Sequence, residues 1–244
     1  DFGSLSGRAV IVNVETGEEL ADAALDYPHA VMDKELPDGT KLGVDWALQH
    51  PQDYLDVLGT TIPQVLEQSG ISAEDVIGLG IDFTACTGLP VKRDGTPLCF
   101  LEEYRTDPHA YVKLWKHHAA QKYASRINEV AKQRGEAFLK RYGDKTSSEW
   151  MLPKVWQILD EDEMLYQDMD YFVEAADWVV WQLTGVQTRT SCAAGYKALY
   201  HKQTGSPKRS FYEALDPRLA DFTEEKLGGP ICPIGDKAGE ITGQ

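Results

Sequence analysis

The chain has 244 residues, 42% of them hydrophobic, which is enough for a substantial core in one large domain or two modest ones. Its 39 acidic residues outnumber 24 basic ones, and the net charge of −15 repels nucleic acids and anionic membranes. No apolar run reaches transmembrane length, so we expect neither nucleic acid nor membrane as a partner. A phosphate ligand would have to be bound locally, by backbone amides and a few cations or a metal.

Four cysteines lie far apart in the sequence and form no CxxC pair: Cys86, Cys99, Cys192 and Cys232. Such spacing is typical of reduced thiols rather than of a disulfide framework. The sequence therefore predicts a cytoplasmic protein.

The first eight residues combine one acid, two glycines, two hydroxyls and an arginine: Asp1-Phe2-Gly3-Ser4-Leu5-Ser6-Gly7-Arg8. Glycines let backbone N–H groups approach a ligand closely, and Ser4, Ser6 and Arg8 add donors that suit phosphate oxygens. Asp1 could hold a hydrated magnesium, which takes only one or two carboxylates. The alternative, an ordinary β-hairpin turn with polar residues, is the more common origin of such a stretch.

Two strands are predicted at the start of the fold, over residues 8–14 and 20–27, with a turn between them. They suggest an antiparallel meander whose first strand would precede Asp1. We therefore expect the start of the fold to be missing from this chain.

A helix is predicted over residues 51–69, ending at Gly70, because its apolar residues follow helical spacing. The short apolar run 76–84 follows it and predicts a buried strand. Small side chains come next, at residues 84–87. In open α/β sheets ligands gather beyond the carboxyl ends of strands, although small residues are equally common in plain turns.

The middle of the sequence predicts a hairpin over residues 91–100 and then a helical region. Asp94-Gly95 would close the hairpin. Asp107 suits the cap of a helix and Pro108 its first turn. The composition stays helical over residues 109–142, and His117-His118 are expected on its surface.

A capping-box pattern at residues 146–149 precedes the apolar run that starts at Trp150, and it gives Glu149 a structural role. Residues 172–177 predict a short strand that leads into a buried helix over 178–183. Asp177 would cap that helix and Gly185 would end it.

Another stretch of small residues, 191–197, ends in Lys197, which on this evidence alone is a solvated lysine. A short helix is predicted over 211–215, and the tail over 228–244 is rich in glycine and proline. The alternation of strands and helices favours an α/β fold.

Together these motifs resemble the FGGY family of carbohydrate kinases. The opening stretch is similar to that family's first phosphate motif, and residues 80–87 are similar to its first sugar-side loop. Further segments resemble members that phosphorylate ketopentoses, and the likeness runs through nearly all of the chain. These segments are residues 108–118, 147–151, 153–157 and 193–198.

The resemblance implies an actin-like, ribonuclease-H-like α/β fold, in which a mixed sheet with an antiparallel N-terminal meander is flanked by helices. Residues 1–244 would form the N-terminal, sugar-side domain. The C-terminal nucleotide-binding domain would lie outside this chain. So would the general base, an aspartate in a Gly-x-x-Asp segment expected beyond Gln244, and we expect the 244-residue chain alone to be inactive.

The activity implied is transfer of the γ-phosphoryl group of MgATP to a terminal hydroxyl of an open-chain ketose. The expected substrate is L-ribulose, converted to L-ribulose 5-phosphate in arabinose catabolism. One alternative is another sugar kinase of the family, acting on xylulose or a polyol. The other is an actin-like domain that binds sugar or nucleotide without catalysis.

The resemblance also assigns roles to residues of this sequence. Asp1 would organise Mg²⁺, and Gly3, Ser4, Ser6 and Arg8 would face the ATP phosphates. Three residues would line the sugar, Thr84, Ala85 and Cys86, and their small side chains would admit a five-carbon chain. Lys197 would donate to a sugar oxygen, with Glu149 as a weaker candidate. A homodimer is compatible with the sequence.

Overall fold

The computed structural model describes residues 1–242. Its strands are β1 Ser6–Val12, β2 Glu19–Asp26, β3 Leu48–Gln49, β4 Gly88–Val91, β5 Val112–Lys113, β6 Tyr171–Glu174, β7 Arg189–Thr190 and β8 Ile231–Cys232. Its α-helices are α1 Pro51–Ser69, α2 Gln121–Arg134, α3 Met151–Glu161, α4 Glu163–Asp168, α5 Ala175–Thr184, α6 Ser191–Lys197, α7 Arg209–Leu215 and α8 Phe222–Lys226. No helix within these residues is long and apolar enough to cross a membrane.

The strands form three small sheets with mixed pairing. β1 and β2 pair antiparallel, with Ser6 opposite Asp26 and Ile11 opposite Ala21. Four strands form an antiparallel sheet in the order β3-β5-β4-β6, and β7 pairs parallel with β8. The predicted antiparallel pair near the start of the chain and the predicted α/β alternation are both confirmed.

Helix α1 has the bounds that the sequence predicts. The His50 side chain caps it by accepting a hydrogen bond from the Gln52 amide at 3.2 Å, and Gly70 ends it in the left-handed conformation with φ 69°. One face of the helix buries Tyr54, Val57 and Val65. That face packs on the β1–β2 hairpin, so the apolar periodicity positions the first elements of the fold.

Gly7 marks the closest approach of β1 to α1. A Cβ atom at Gly7 would lie 2.6 Å from a methyl group of Val57, whereas one at Gly59 in α1 would meet open space. We expect Gly7→Ala to lower the free energy of unfolding by about 1–3 kcal/mol through overpacking. Gly59→Ala should raise it by about 0.5–1 kcal/mol through helix propensity. Urea denaturation measures both, and shifts in the same direction would contradict this packing.

Two clusters of buried apolar side chains form the core. The larger lies around α2, α3 and α7, and the smaller lies between α1, α5 and the four-stranded sheet. In the smaller cluster Phe2 stacks on Phe83 with ring centroids 5.0 Å apart and meets Tyr54 edge-on at 5.9 Å. Burial of these rings anchors the first residues of the chain against the segment that precedes residue 84.

The prediction of a buried strand over residues 76–84 is wrong. The segment contains only an isolated parallel bridge between Phe83 and Phe2, and Ile77 is 81% exposed. Its amide groups at residues 77–81 donate no hydrogen bond to another residue among residues 1–242. Apolar composition predicted a strand here, but within residues 1–242 the segment pairs with Phe2 alone.

The prediction of a helical region over residues 109–142 is wrong for its first part, before Gln121. Asp107 caps a single 3₁₀ turn, Pro108–Ala110, and helix α2 begins only at Gln121. Between them, β5 inserts between β3 and β4 with its residues fully buried. Pairing with two neighbouring strands overrides the helical composition of this stretch.

His117 is fully buried, so its predicted place on the surface is wrong, whereas His118 is exposed as expected. The His117 Nδ1 atom accepts a hydrogen bond from the Ala47 amide at 3.3 Å, which leaves Nε2–H to donate to Gln157 Oε1 at 2.8 Å. Burial lowers the pKa of His117 well below its ordinary value. The ring is therefore neutral in the folded protein.

This neutral ring predicts a loss of stability in acid. Below pH 6.5 the unfolded chain protonates His117 and the folded protein does not, so stability falls as pH falls. We expect the free energy of unfolding to drop between pH 6.5 and 5 more steeply than in His117→Gln, by about 1.4 kcal/mol per pH unit. Urea denaturation across this range is the test, and parallel curves would contradict it.

Two predicted helix caps are absent. Helix α3 begins at Met151 without a side-chain cap, so the capping box that was to involve Glu149 does not form. Helix α5 begins after Glu174, and Asp177 instead lies buried in the first turn. There the Asp177 carboxylate accepts a hydrogen bond from the Thr190 amide at 3.0 Å and ties α5 to the start of α6.

The remaining predicted elements agree in part. Asp94-Gly95 forms a tight turn, but the second arm of the predicted 91–100 hairpin is a 3₁₀ turn over Leu98–Phe100. Helix α5 is largely buried and ends at Gly185 as expected, and α7 contains the helix predicted over 211–215. The last two residues of the predicted tail lie outside the described residues.

Candidate active site

The N-terminal turn, residues 1–8, is a tight hairpin. The Asp1 carbonyl accepts a hydrogen bond from the Arg8 amide at 2.8 Å, and the Gly3 amide donates to the Ser6 carbonyl at 2.9 Å. Within residues 1–242, the amides of Ser4 and Leu5 have no acceptor. Two adjacent free N–H groups at the tip of a turn provide donors for an anion.

The small-residue loop, residues 84–87, lies directly beside the N-terminal turn. The Phe2 amide donates to the Asp82 carbonyl at 2.9 Å, and the Thr84 amide donates to the Phe2 carbonyl at 3.1 Å. Ala85 at the centre of the loop is exposed. The turn and the loop therefore share one edge of the molecule.

Two exposed carboxylates lie at this edge. Asp1 and Asp82 each precede one partner of the parallel Phe2–Phe83 bridge, so the register places them side by side. No cluster of three or more His, Cys, Asp or Glu arranged to hold a metal occurs in the described part of the chain. A cation here would take one or two carboxylates and complete its shell with water and ligand oxygens, as Mg²⁺ does.

Cys86 adopts a left-handed backbone conformation, φ 63°, which non-glycine residues rarely take. The ammonium group of Lys154, a side chain only 1% exposed, donates to the Cys86 carbonyl. The same ammonium donates to the carbonyls of Lys113 at 3.1 Å and Leu114 at 2.9 Å. Lys154 therefore fixes the small-residue loop to β5.

A further contact extends this link to the N-terminal turn. Trp115, which directly follows the segment held by Lys154, donates its indole N–H to Ser4 Oγ at 3.0 Å. The carbonyl of Ser4 accepts a hydrogen bond from the side-chain amide (Nε2) of Gln49 at 2.8 Å. Lys154 thus binds both the small-residue loop and the segment before Trp115, and Trp115 binds the N-terminal turn. These contacts fix the position of the loop relative to the turn.

Opposite charges lie together beneath the loop. Burial raises the pKa of Glu174 to about 7, an effect that Lys154 opposes. Burial also lowers the pKa of Lys154 to about 8, against the attraction of the Glu174 and Glu149 carboxylates. The Cys86 thiol has its pKa raised by burial, so it is protonated at neutral pH. The loop therefore presents a small, neutral side chain near two buried titratable groups, Lys154 and Glu174.

Lys197 is the last residue of α6 and only 6% exposed, which contradicts the solvated lysine expected from its sequence context. Its ammonium group is near enough to Cys86 to oppose the rise in that thiol's pKa, and it lies 3.6 Å from the centre of the Tyr196 ring. Thr190 caps α6 by accepting from the Ala193 amide. Helix α6 therefore places Lys197, at its C-terminal end, near Cys86 of the small-residue loop.

Glu149 lies near this group, half-buried and close enough to Lys154 to raise its pKa. The structure thus brings Cys86, Lys197 and Glu149 together. Arg8 is different, because its guanidinium group lies 3.9 Å from Asp22 on β2 and is largely exposed.

A family model, the N-terminal domain of the FGGY family of carbohydrate kinases, matches residues 1–224. The chain belongs to this family. The FGGY resemblance on which the site assignments rest is therefore confirmed, and the assigned roles stay predictions.

Curated relatives are ribulokinases. The chain is 57% identical over 242 residues to the ribulokinase of Halalkalibacterium halodurans, covering 99% of this chain and 43% of that protein. It is 56% identical over 243 residues to the ribulokinase of Geobacillus thermodenitrificans, with the same coverage. The chain therefore spans less than half the length of these FGGY relatives.

Solved structures show the fold. Gluconate kinase from Lactobacillus acidophilus superimposes with a TM-score of 0.72 at 13% identity, over 99% of this chain and 42% of that chain. Xylulose kinase from the same organism gives a TM-score of 0.72 at 14% identity, over 99% of this chain and 43% of that chain. The chain has the actin-like, ribonuclease-H-like fold of FGGY kinases, as the sequence predicted.

The residues present fit the groups that the FGGY family implies. Free amides at Ser4 and Leu5 and the Ser6 hydroxyl suit phosphate oxygens. Asp1 and Asp82 suit a hydrated Mg²⁺. ATP and Mg²⁺ are thus compatible with the N-terminal turn.

Sequence reasoning missed three residues of the site, Asp82, Trp115 and Lys154. Lys154 had one signal, since it is a lone charge within the apolar run Met151–Leu159 on α3. Asp82 and Trp115 had no such signal. Asp82 belongs to the site through strand register, and Trp115 through a contact with a residue 111 positions away.

Two cavities, of about 500 Å³ and about 330 Å³, lie elsewhere, and neither is lined by the N-terminal turn or the small-residue loop.

Proposed function

We propose that this chain is the sugar-side domain of an ATP-dependent ribulokinase, which phosphorylates L-ribulose to L-ribulose 5-phosphate in arabinose catabolism. One observation carries the proposal: the Phe2–Thr84 hydrogen bond places a phosphate-type turn beside a loop of small residues. Phosphoryl transfer needs a phosphate group and an acceptor hydroxyl held close together. The similarity to ribulokinases supports the choice of sugar.

On the phosphate side, the free amides of Ser4 and Leu5 and the Ser6 hydroxyl bind and orient phosphate oxygens. MgATP, when bound, supplies the phosphoryl group and neutralises the charge that develops on it. Asp1 orients the hydrated metal, with Asp82 as a second carboxylate in reach. Arg8 adds positive charge at the rim of the turn.

On the sugar side, the small-residue loop leaves space for a five-carbon chain. Ala85 and the neutral Cys86 thiol line that space, and the Thr84 hydroxyl, 3.1 Å from the Thr87 hydroxyl, closes one side. Lys197 donates to a sugar oxygen, and Glu149 accepts from a sugar hydroxyl. The influence of Lys197 on the Cys86 thiol, and of Glu149 on the Lys154 ammonium group that binds the Cys86 carbonyl, supports these roles.

We place the general base, an aspartate of a Gly-x-x-Asp segment, beyond Gln244, together with a C-terminal nucleotide-binding domain. The length of the relatives supports this division, since the chain covers 43% of them. The base would accept the proton of the sugar hydroxyl. By this proposal the 244-residue chain alone is inactive.

Steady-state assays of the complete protein test the function. L-Ribulose should give a higher kcat/KM than D-xylulose or glycerol, and the 244-residue chain should release no ADP with any of them. Glycerol or xylulose as the best substrate would overturn the choice of sugar. ADP release by the 244-residue chain would overturn the division into domains, and no turnover by the complete protein would favour a binding domain.

We also propose that a strand preceding Asp1 completes the first sheet. One edge of β1 and the amides of residues 77–81 are unpaired within residues 1–242 and flank the position such a strand would take. Hydrogen exchange at residues 77–81 should then be fast in the 244-residue chain and at least about tenfold slower in the complete protein. Equal rates would exclude the added strand.

A reducing compartment, the cytoplasm, is proposed from the cysteines. All four are free in the structure, and Cys192 is exposed. Such thiols persist where glutathione and thioredoxin keep them reduced. Fractionation of cells with an antibody to the protein tests this, and recovery outside the cytoplasm would overturn it.

A further inference from the structure

A second site is formed beside α6, in a cavity of about 330 Å³ that we call the basic cavity. It lies where α6 meets the end of the 3₁₀ segment Ala137–Tyr142 and the chain that follows α6. Its lining residues are Arg141, Tyr142, Ser191, Gly195, Tyr200, His201 and Lys202. This volume suits a small molecule.

The charge of the basic cavity is opposite to that of the protein. Its lining includes Arg141, Lys202 and His201 and no carboxylate, in a chain of net charge −15. The sequence carries no acidic residue between Asp177 and Glu213. A cavity lined by cations without a carboxylate has a positive local potential that favours an anion.

Its hydrogen-bond donors are unused. The Arg141 and Lys202 side chains are exposed, and within residues 1–242 neither they nor the Ser191 hydroxyl form an ion pair or hydrogen bond with another residue. His201 Nδ1 accepts from the Gln203 amide at 3.3 Å, which leaves Nε2–H as a further donor. The Tyr142 hydroxyl is not a free donor, because it donates to the Gly195 carbonyl. This hydrogen bond joins two sides of the cavity.

The basic cavity is separate from the candidate active site. Ser191 and Gly195 are four residues apart on α6 and share one helical face. Lys197 is two residues further and projects about 200° around the helix from Gly195. A ligand in the basic cavity would therefore contact the opposite side of the helix that carries Lys197.

We propose that the basic cavity binds a small phosphorylated metabolite through its phosphate group. A tetrahedral dianion accepts several charge-assisted hydrogen bonds at once, which matches one guanidinium, one ammonium, one imidazole N–H and one hydroxyl. The remaining wall, including Tyr200, contacts the uncharged part of the molecule.

Isothermal titration of the complete protein with glycerol 3-phosphate tests the proposal. One saturable event should be weakened at least tenfold in the Arg141→Gln/Lys202→Gln variant. It should be unchanged in Arg8→Gln, which alters the N-terminal turn. The charge-matched variant Lys34→Gln/Lys132→Gln changes two exposed lysines elsewhere and should bind like the parent.

Three results would overturn the proposal. They are no saturable binding, equal weakening in the two double variants, and loss of binding in Arg8→Gln, which would place the phosphate at the turn. Kinase turnover does not enter this titration, so this proposal and the proposed function can fail separately. Circular dichroism of each variant confirms that it is folded.

Discussion

Lys154→Met is expected to lower the free energy of unfolding by about 3–5 kcal/mol, the usual cost of removing one partner from a buried charged network. The methionine fills most of the same volume, so the loss reports the missing ammonium. Its three acceptors, the carbonyls of Cys86, Lys113 and Leu114, would lose this donor. Glu174 would lose the cation that most strongly opposes the rise in its pKa.

Urea denaturation of the chain measures this effect, with Lys122→Met as the matched control. The Lys122 side chain is 61% exposed and pairs only with surface carboxylates, so its replacement should cost less than about 1 kcal/mol. If the two variants lost the same stability, Lys154 would not be the residue that holds the small-residue loop.

Lys197→Met in the complete protein should lower kcat/KM for the ketopentose by about 100-fold or more, because a sugar oxygen would lose its donor in a water-poor site. The KM for ATP should stay within about twofold. This follows from the place of Lys197 beside Cys86 rather than at the N-terminal turn. Steady-state kinetics with each substrate varied in turn separates the two effects.

The control for this prediction is Lys208→Met, since Lys208 is exposed and lies away from the small-residue loop. It should retain the parental kcat/KM. A rise in the KM for ATP alone in Lys197→Met would place Lys197 on the nucleotide side and contradict the assignment. Thermal denaturation of Lys197→Met distinguishes lost chemistry from lost folding.

Local patterns predicted those parts of the fold that local physics controls. Helix α1 followed from apolar spacing and Gly70, and the β1–β2 hairpin from short apolar runs around a turn. Residues 111–114 and 76–84 were assigned wrongly, because strand formation depends on neighbours that are distant in sequence. Composition alone does not indicate which apolar run finds such a neighbour.

The candidate site was predictable in its chemistry but not in its assembly. Glycines, hydroxyls and an acid identified the N-terminal turn, and small side chains identified the loop. Two hydrogen bonds assemble the site, one between Phe2 and Thr84 and one from Lys154 to the Cys86 carbonyl. Each joins residues more than 60 positions apart. For the same reason the burial of Lys197, which lies near a residue as distant in sequence as Cys86, was not evident.

The central claim is that the N-terminal turn and the small-residue loop serve one phosphoryl-transfer reaction. Its most direct test is the kcat of the complete protein carrying Asp1→Asn, measured with L-ribulose at saturating MgATP. Our account predicts a fall of at least about 100-fold, with the KM for L-ribulose nearly unchanged. The control Asp33→Asn, which changes an exposed carboxylate between β2 and β3, should be fully active. An Asp1→Asn variant that kept more than about a tenth of the parental kcat would contradict it.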